Sequence, residues 1–278
     1  LPRAAVAAER IDEVVRTESS IKNIDKPEKL TSHDGVISFE HVNFKYPGAD
    51  RLENISAERI RVELTKLLVA KEAGRLRDAY STGMTRYFLP EFDKAMVTEQ
   101  KNPHHVYTVG EHSIHGIEIM NCFFEVTSDR KMYDKVPEEV MITAKKIAKK
   151  MNKKQHTILC MAMLLHDIAK PVVMTIDGDG TGHFYGHPQE SEKMAKKIMR
   201  RLTFDNESIS KVCRLVKFHD YRIEDSSKAF RRAVSKIGAD IMDMLFLVEY
   251  ADVLSQSDKM LEEKLSKINS GVERFEYI

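Results

Sequence analysis

The segment MAMLLHDIAKP, residues 161–171, constrains this chain more than any other. An apolar stretch of helical character runs into His166 and Asp167, then Lys170, then Pro171, a residue that stops helices. Distant residues of the same types offer partners: His112, His187, His219 and Asp252, each in or beside a stretch that reads as helix. Together they supply neutral imidazoles and carboxylates converging from several helices, the donor set of a divalent-metal hydrolase. A lone histidine is more often a satisfied core residue, and His-Asp dipeptides arise by chance. The His-Asp-x-x-Lys-Pro context with distant His and Asp partners is what carries weight.

The rest of the pattern sets the fold class. From Ala57 onward the chain is helical in character nearly to its end. The stretch ISAERIRVELTKLLVAKEAGRLRDAYSTGM spaces Ile60, Leu64, Leu67, Leu68, Leu76 and Tyr80 as one helical face. Before residue 56 the character differs: a short amphipathic helix over 9–17, a polar linker, then VISFEHVNFKYP (36–47). There Ile37, Phe39, Val42 and Phe44 alternate as in a strand, with a slip at Glu40-His41. The expectation is a mainly α protein with a short, partly β-stranded N-terminal segment. A length of 278 residues, 42% hydrophobic and 31% charged, suits a globular chain with a sizeable core. A net charge of +1 gives no global field toward nucleic acid or membrane. The longest clean apolar run, ILCMAMLL (158–165), is too short for a bilayer. Cys122, Cys160 and Cys213 form no CxxC and read as buried reduced thiols of a cytoplasmic protein without a signal peptide. Beginning at Leu1, the chain reads as a fragment or processed product.

Two family resemblances divide the sequence. ERIDEVVRTESSIKNIDKPEKL and GVISFEHVNFKYPGADRLENIS, within residues 5–56, resemble the linker and opening strands of an ABC transporter nucleotide-binding domain. That resemblance implies Tyr46 as the aromatic that stacks on adenine. The family next requires a GxxxxGKS/T phosphate loop, and this chain has none, so an ATPase of that type is disfavoured and Tyr46 reads as an orphan. From about residue 55 the chain resembles the neck and HD domain of a bacterial CCA-adding tRNA nucleotidyltransferase. The matching words are ISAERIRVELTKLL, FLPEF, EQKNPHHVYTVGEHSIHGIE, LLHDIAKP, GTGHFYGHPQES, VKFHDYRI, FRRAVSKIG and YADVLSQS, in the family's order. The chain therefore reads as a fusion: 1–56 transporter-like, 57–98 neck helices, 99–278 an HD-type helical bundle. The paired aspartates of the family's nucleotide-adding head are missing, so no CCA addition is expected of this chain.

The HD resemblance implies a metal set of His112, His166, Asp167 and Asp252, with Asp167 also catalytic. His115, three residues beyond His112, matches no ligand position and reads as a supporting or surface residue. His187 and His219 correspond to positions that hold a second metal or substrate phosphate. Two-metal relatives carry two successive histidines where this chain has His219-Asp220, so one ion is the expectation. Lys170 can stabilise a phosphoryl oxygen or can simply be a cation at a helix C-terminus. Such a mixed N/O set does not distinguish Ni, Mn, Co, Mg, Fe or Zn. The lysine runs AKKIAKKMNKKQH (144–156) and KMAKKIMRR (193–201) could touch a tRNA backbone, but a solvated face is the commoner reading; the first is expected to turn Ile142, Ile147 and Met151 inward. Met161, Met163, Met242 and Met244 read as core. The leading function is a metal-dependent phosphohydrolase acting on a phosphomonoester or cyclic phosphodiester of a nucleotide or RNA end. The alternative is a non-catalytic tRNA-binding body.

Overall fold

A computed structural model describes residues 55–102, 106–126, 136–223, 226–257 and 259–277. The strand expected over 36–47, Tyr46 and the rest of residues 1–54 lie outside the described residues.

The periodic stretch after Ala57 forms not one helix but two pieces, α1 (Ala57–Leu68) and α2 (Leu76–Ser81), joined by a 3₁₀ turn at Ala73–Arg75. The break has a physical cause. The buried Asn121 side chain donates to the carbonyls of Leu68 and Ala70 at 2.9 and 3.3 Å, satisfying the α1 end that another turn would otherwise use. Gly74 then passes so close to Glu118 that a Cβ there would lie 2.3 Å from its Oε1. Helix α3 (Pro90–Val97) starts on its proline, in the position where a missing N–H costs nothing.

The body is built on α4 (Val109–Phe123), α6 (Lys153–Leu165) and α11 (Met242–Leu254), which pack mutually. Around them lie α5 (Glu138–Ala148), α8 (His187–Arg201), α9 (Asn206–Phe218), α10 (Ser227–Ile237) and α12 (Leu261–Glu276). The fold is mainly α, and the strands among the described residues form one antiparallel hairpin, β1 (Thr175–Ile176) with β2 (Gly182–His183). Helix α6 opens with a reciprocal cap: Asn152 accepts from the Gln155 amide, and Gln155 accepts from the Asn152 amide. Its apolarity reflects burial. Lys153–Val173 is long and apolar enough by composition to cross a membrane, and 78% of its most apolar window is buried inside the protein. Met161, Met163, Met242 and Met244 are core residues, and all three cysteines are buried.

One sequence expectation fails in α5. Ile142 is 63% exposed, and the buried face runs through Val140, Ala144, Ile147 and Ala148. The lysines that follow meet carboxylates: Lys146 with Glu276, Lys150 with Asp243, Lys154 with Asp205 and Glu207. That face is a solvated ion-pair surface.

Candidate metal centre

The ends of five helices deliver the titratable residues. His166 stands immediately after α6, and His219 immediately after α9, each as the cap residue. His187 opens α8, turned inward by Gly186, whose φ of 75° is a conformation glycine adopts freely. His112 lies in the first turn of α4, and Asp252 in the last turn of α11. Gly116, one turn beyond His112, lies against the end of the Met163 side chain. A Cβ there would lie 2.3 Å from Met163 Cε.

The imidazoles are oriented by one recurring device. His166 Nδ1 donates to Met163 O at 2.8 Å, His187 Nδ1 to Phe184 O at 2.9 Å and His219 Nδ1 to Val216 O at 2.7 Å. His112 Nδ1 lies 3.0 Å from Ser255 Oγ, whose own proton goes to Asp252 O. A carbonyl can only accept, so Nδ1 carries a proton and each Nε2 faces inward. Those Nε2 atoms converge: His112 and His166 are 3.2 Å apart, His187 and His219 3.3 Å.

Asp167 stands between the two pairs. Its Oδ2 is 3.3 Å from His166 Nε2 and 3.6 Å from His112 Nε2. Its Oδ1 is 3.2 Å from His187 Nε2 and 3.6 Å from His219 Nε2. Asp252 Oδ1 closes the first group at 2.9 Å from His112 Nε2 and 3.5 Å from His166 Nε2. Two triads with metal-ligand spacing result, His112–His166–Asp167 and Asp167–His187–His219, sharing one carboxylate. Asp167 is almost fully buried, and its Oδ1 accepts no hydrogen bond. An orphaned buried carboxylate oxygen facing two Nε2 atoms is unfavourable unless a cation fills the gap, so the residues fit a divalent ion.

Lys170 brings an ammonium to the same centre. It begins the short helix α7 (Lys170–Val173), with Pro171 following it, rather than closing a helix. Its buried ammonium meets Asp167 Oδ2 at 2.6 Å and Gln100 Oε1 at 2.7 Å, and lies over the Phe184 ring. Burial opposes ionisation of Asp167, but His166 and Lys170 outweigh it and hold the carboxyl well below its usual range. Asp252 is lowered likewise by His112 and His166 against its burial. In turn burial opposes charging of His166, yet Asp167 and Asp252 raise it to about 10.

His115 is outside this cluster. It stacks against Tyr107 and lies 3.1 Å from Glu118, beside the Arg77 guanidinium that bridges Glu111 and Glu118. Residues with no sequence signal do belong to the centre's surroundings: Ser255, Gln100, Gln256, Lys264 and Glu249. Burial, then Asp252 and Asp220, push the Glu249 carboxyl up to about 8. Its position one turn before Asp252 was the only available hint.

The arrangement is that of a helical bundle with a His/Asp centre. Comparison with known proteins gives the class a family. Residues 137–257 match the HD domain, and residues 48–96 match the probable RNA and SrmB-binding site of polymerase A. A CC-adding tRNA nucleotidyltransferase of Thermus thermophilus is 24% identical over 69% of this chain and 38% of its own length. A bifunctional uridylyltransferase/uridylyl-removing enzyme of Bradyrhizobium sp. is 25% identical over 74% of this chain and 20% of its own length. The corresponding enzyme of Azospirillum brasilense is 27% identical over 56% and 14%. The chain thus carries an HD domain and is related to tRNA nucleotidyltransferases and to uridylyltransferase/uridylyl-removing enzymes, and it spans well under half the length of these relatives. The HD match begins after His112, so that ligand candidate comes from a helix outside it.

Proposed function

We propose that residues 99–278 form a metal-dependent HD phosphohydrolase carried on neck helices 57–98. Its substrate is a phosphomonoester or cyclic phosphodiester of a nucleotide or an RNA end. The observation that carries this reading is the Asp167 carboxylate, buried between two histidine pairs whose Nε2 atoms face it while Oδ1 has no donor. His112, His166, Asp167 and Asp252 would hold one divalent ion; Asp167, His187 and His219 offer a second position. Such an ion supplies Lewis acidity and brings the pKa of bound water toward neutrality. The chain's own contribution is orientation. The four Nδ1 bonds fix the tautomers, and such supporting bonds hold ligand rings in place. Lys170 keeps Asp167 ionised and aligned, acting as a positioning residue. The mixed donor set suits Ni²⁺, Mn²⁺, Co²⁺, Mg²⁺, Fe²⁺ or Zn²⁺.

A second reading, an RNA-binding body without turnover, is favoured by the match over residues 48–96. One experiment separates them: metal analysis of the purified full chain, with turnover of bis(p-nitrophenyl) phosphate under added Ni²⁺, Mn²⁺, Co²⁺ or Mg²⁺. Retained metal with turnover supports the phosphohydrolase. RNA binding with no turnover under any metal supports the binding body.

A further inference from the structure

Lys264 lies in the first turn of α12, beyond the region that matches the HD domain. Its half-buried Nζ donates to Gln256 Oε1 at 2.5 Å, and the same amide donates through Nε2 to Asp252 Oδ1 at 3.0 Å. An ammonium is thus tied to the rim of the centre through one neutral side chain. Asp252, Asp220 and Lys170 all act on it electrostatically, which places it within the field of the cluster. The chain turns into α12 at Met260, in the left-handed region with φ 62°, a conformation costly for a non-glycine residue. That turn sets where Lys264 falls.

On the outer surface Lys146, Lys150 and Lys154 meet carboxylates. Lys264 instead makes its hydrogen bond among the described residues to an amide oxygen, which satisfies one of three donors and neutralises nothing. A half-buried cation held this way is poorly compensated until an anion arrives. Lys170 does not supply that service, being bound to Asp167.

We propose that Lys264 is a substrate-recognition residue whose ammonium takes non-bridging oxygens of a phosphate ester seated at the His/Asp centre. The inference rests on reading that centre as a phosphohydrolase site. Lysine acts here as a compact point charge, suited to a tetrahedral anion of variable orientation.

The test is isothermal titration of the full chain, metal-free and Mn²⁺-loaded, with inorganic phosphate. Lys264→Met keeps the aliphatic stem, and Lys264→Arg keeps the charge. Lys264→Met should weaken phosphate binding about tenfold in both forms, with Lys264→Arg recovering most of it, and with bound Mn²⁺ unchanged. Phosphate affinity of Lys264→Met within about twofold of the wild type overturns the proposal. So does loss of Mn²⁺ in that variant, which would make Lys264 a mere support for Asp252. Failure of the phosphohydrolase reading shows separately, as a wild-type chain that takes up no metal; the metal-free titration still decides on Lys264.

Discussion

His156 and His166 sit at opposite ends of the same helix, ten residues apart, and both are buried. Burial pushes His156 down to about 4, while the carboxylates around His166 raise it to about 10. At the N-terminal end His156 donates to Asn121 Oδ1 at 2.8 Å and stacks on Phe124; Asn121 passes its amide protons to Leu68 O and Ala70 O. Donors and acceptors match there. At the C-terminal end two carboxylates meet four inward-facing Nε2 atoms, and Asp167 Oδ1 is left with no donor. The first end is organised for stability alone. The second tolerates a surplus of acceptors, which is the mark of a place where a cation belongs.

The largest effect expected from breaking this contrast is on the acceptor-rich end. Asp167→Ala removes the ligand common to both triads and should reduce phosphodiester turnover on the order of 10³-fold or more, with metal content falling and the helical circular-dichroism signal kept. Undiminished turnover would remove the centre from the chemistry. The matched end should answer in the other currency, stability. Asn121→Ala strands His156 and two carbonyls and should cost about 2–3 kcal/mol by urea denaturation, with bound metal per chain unchanged. Loss of metal in that variant would erase the distinction between the two ends.

Smaller changes sharpen it. Ser255→Ala withdraws one of two Nδ1 partners of His112, and should weaken metal affinity by about tenfold, read by competition with a chromophoric chelator. Glu249→Gln tests the field of the site. The folded pKa of Glu249, about 8, lies above the unfolded value near 4.5, so the carboxyl disfavours folding increasingly as pH rises from about 4.5 to about 8. The glutamine carries no such penalty, so its melting temperature should exceed the wild type's by a margin that grows over that range and then stays constant. A pH-independent difference would contradict the shift.

What the sequence made legible divides along similar physical lines. The cluster residues His112, His166, Asp167, His187, His219 and Asp252 were legible because ligating side chains sit at helix ends beside apolar runs, where few other readings account for them. His219-Asp220 argued for one ion; that Asp167 stands between two triads is a juxtaposition set by tertiary packing and not by local pattern. Lys264 was illegible because α12 carries charges on most turns, and one lysine of an amphipathic helix looks like the next. The break after Leu68 was hidden for the same kind of reason, since the residue that ends α1 is Asn121, 53 positions away. Ile142 misled because helical spacing fits two registers there, and burial of Val140 and Ala144 selected the other.

On the proposed reading, loading a metal at the C-terminal end of α6 exchanges a proton for the ion. In the metal-free chain His166 holds a proton at neutral pH, its folded value near 10 lying above the ordinary 6.5. Stability from that proton is complete below about pH 6.5 and is lost as pH rises through about 10. A metal-bound imidazole must be neutral, so loading the site has to expel the proton. The direct measurement is calorimetric titration of the metal-free full chain with Mn²⁺ at pH 7 in two buffers of different ionisation enthalpy. The account predicts saturable binding with release of about one proton per chain from His166, absent in Asp167→Ala. Saturable binding with no proton release, or none at all in the wild type, would contradict it.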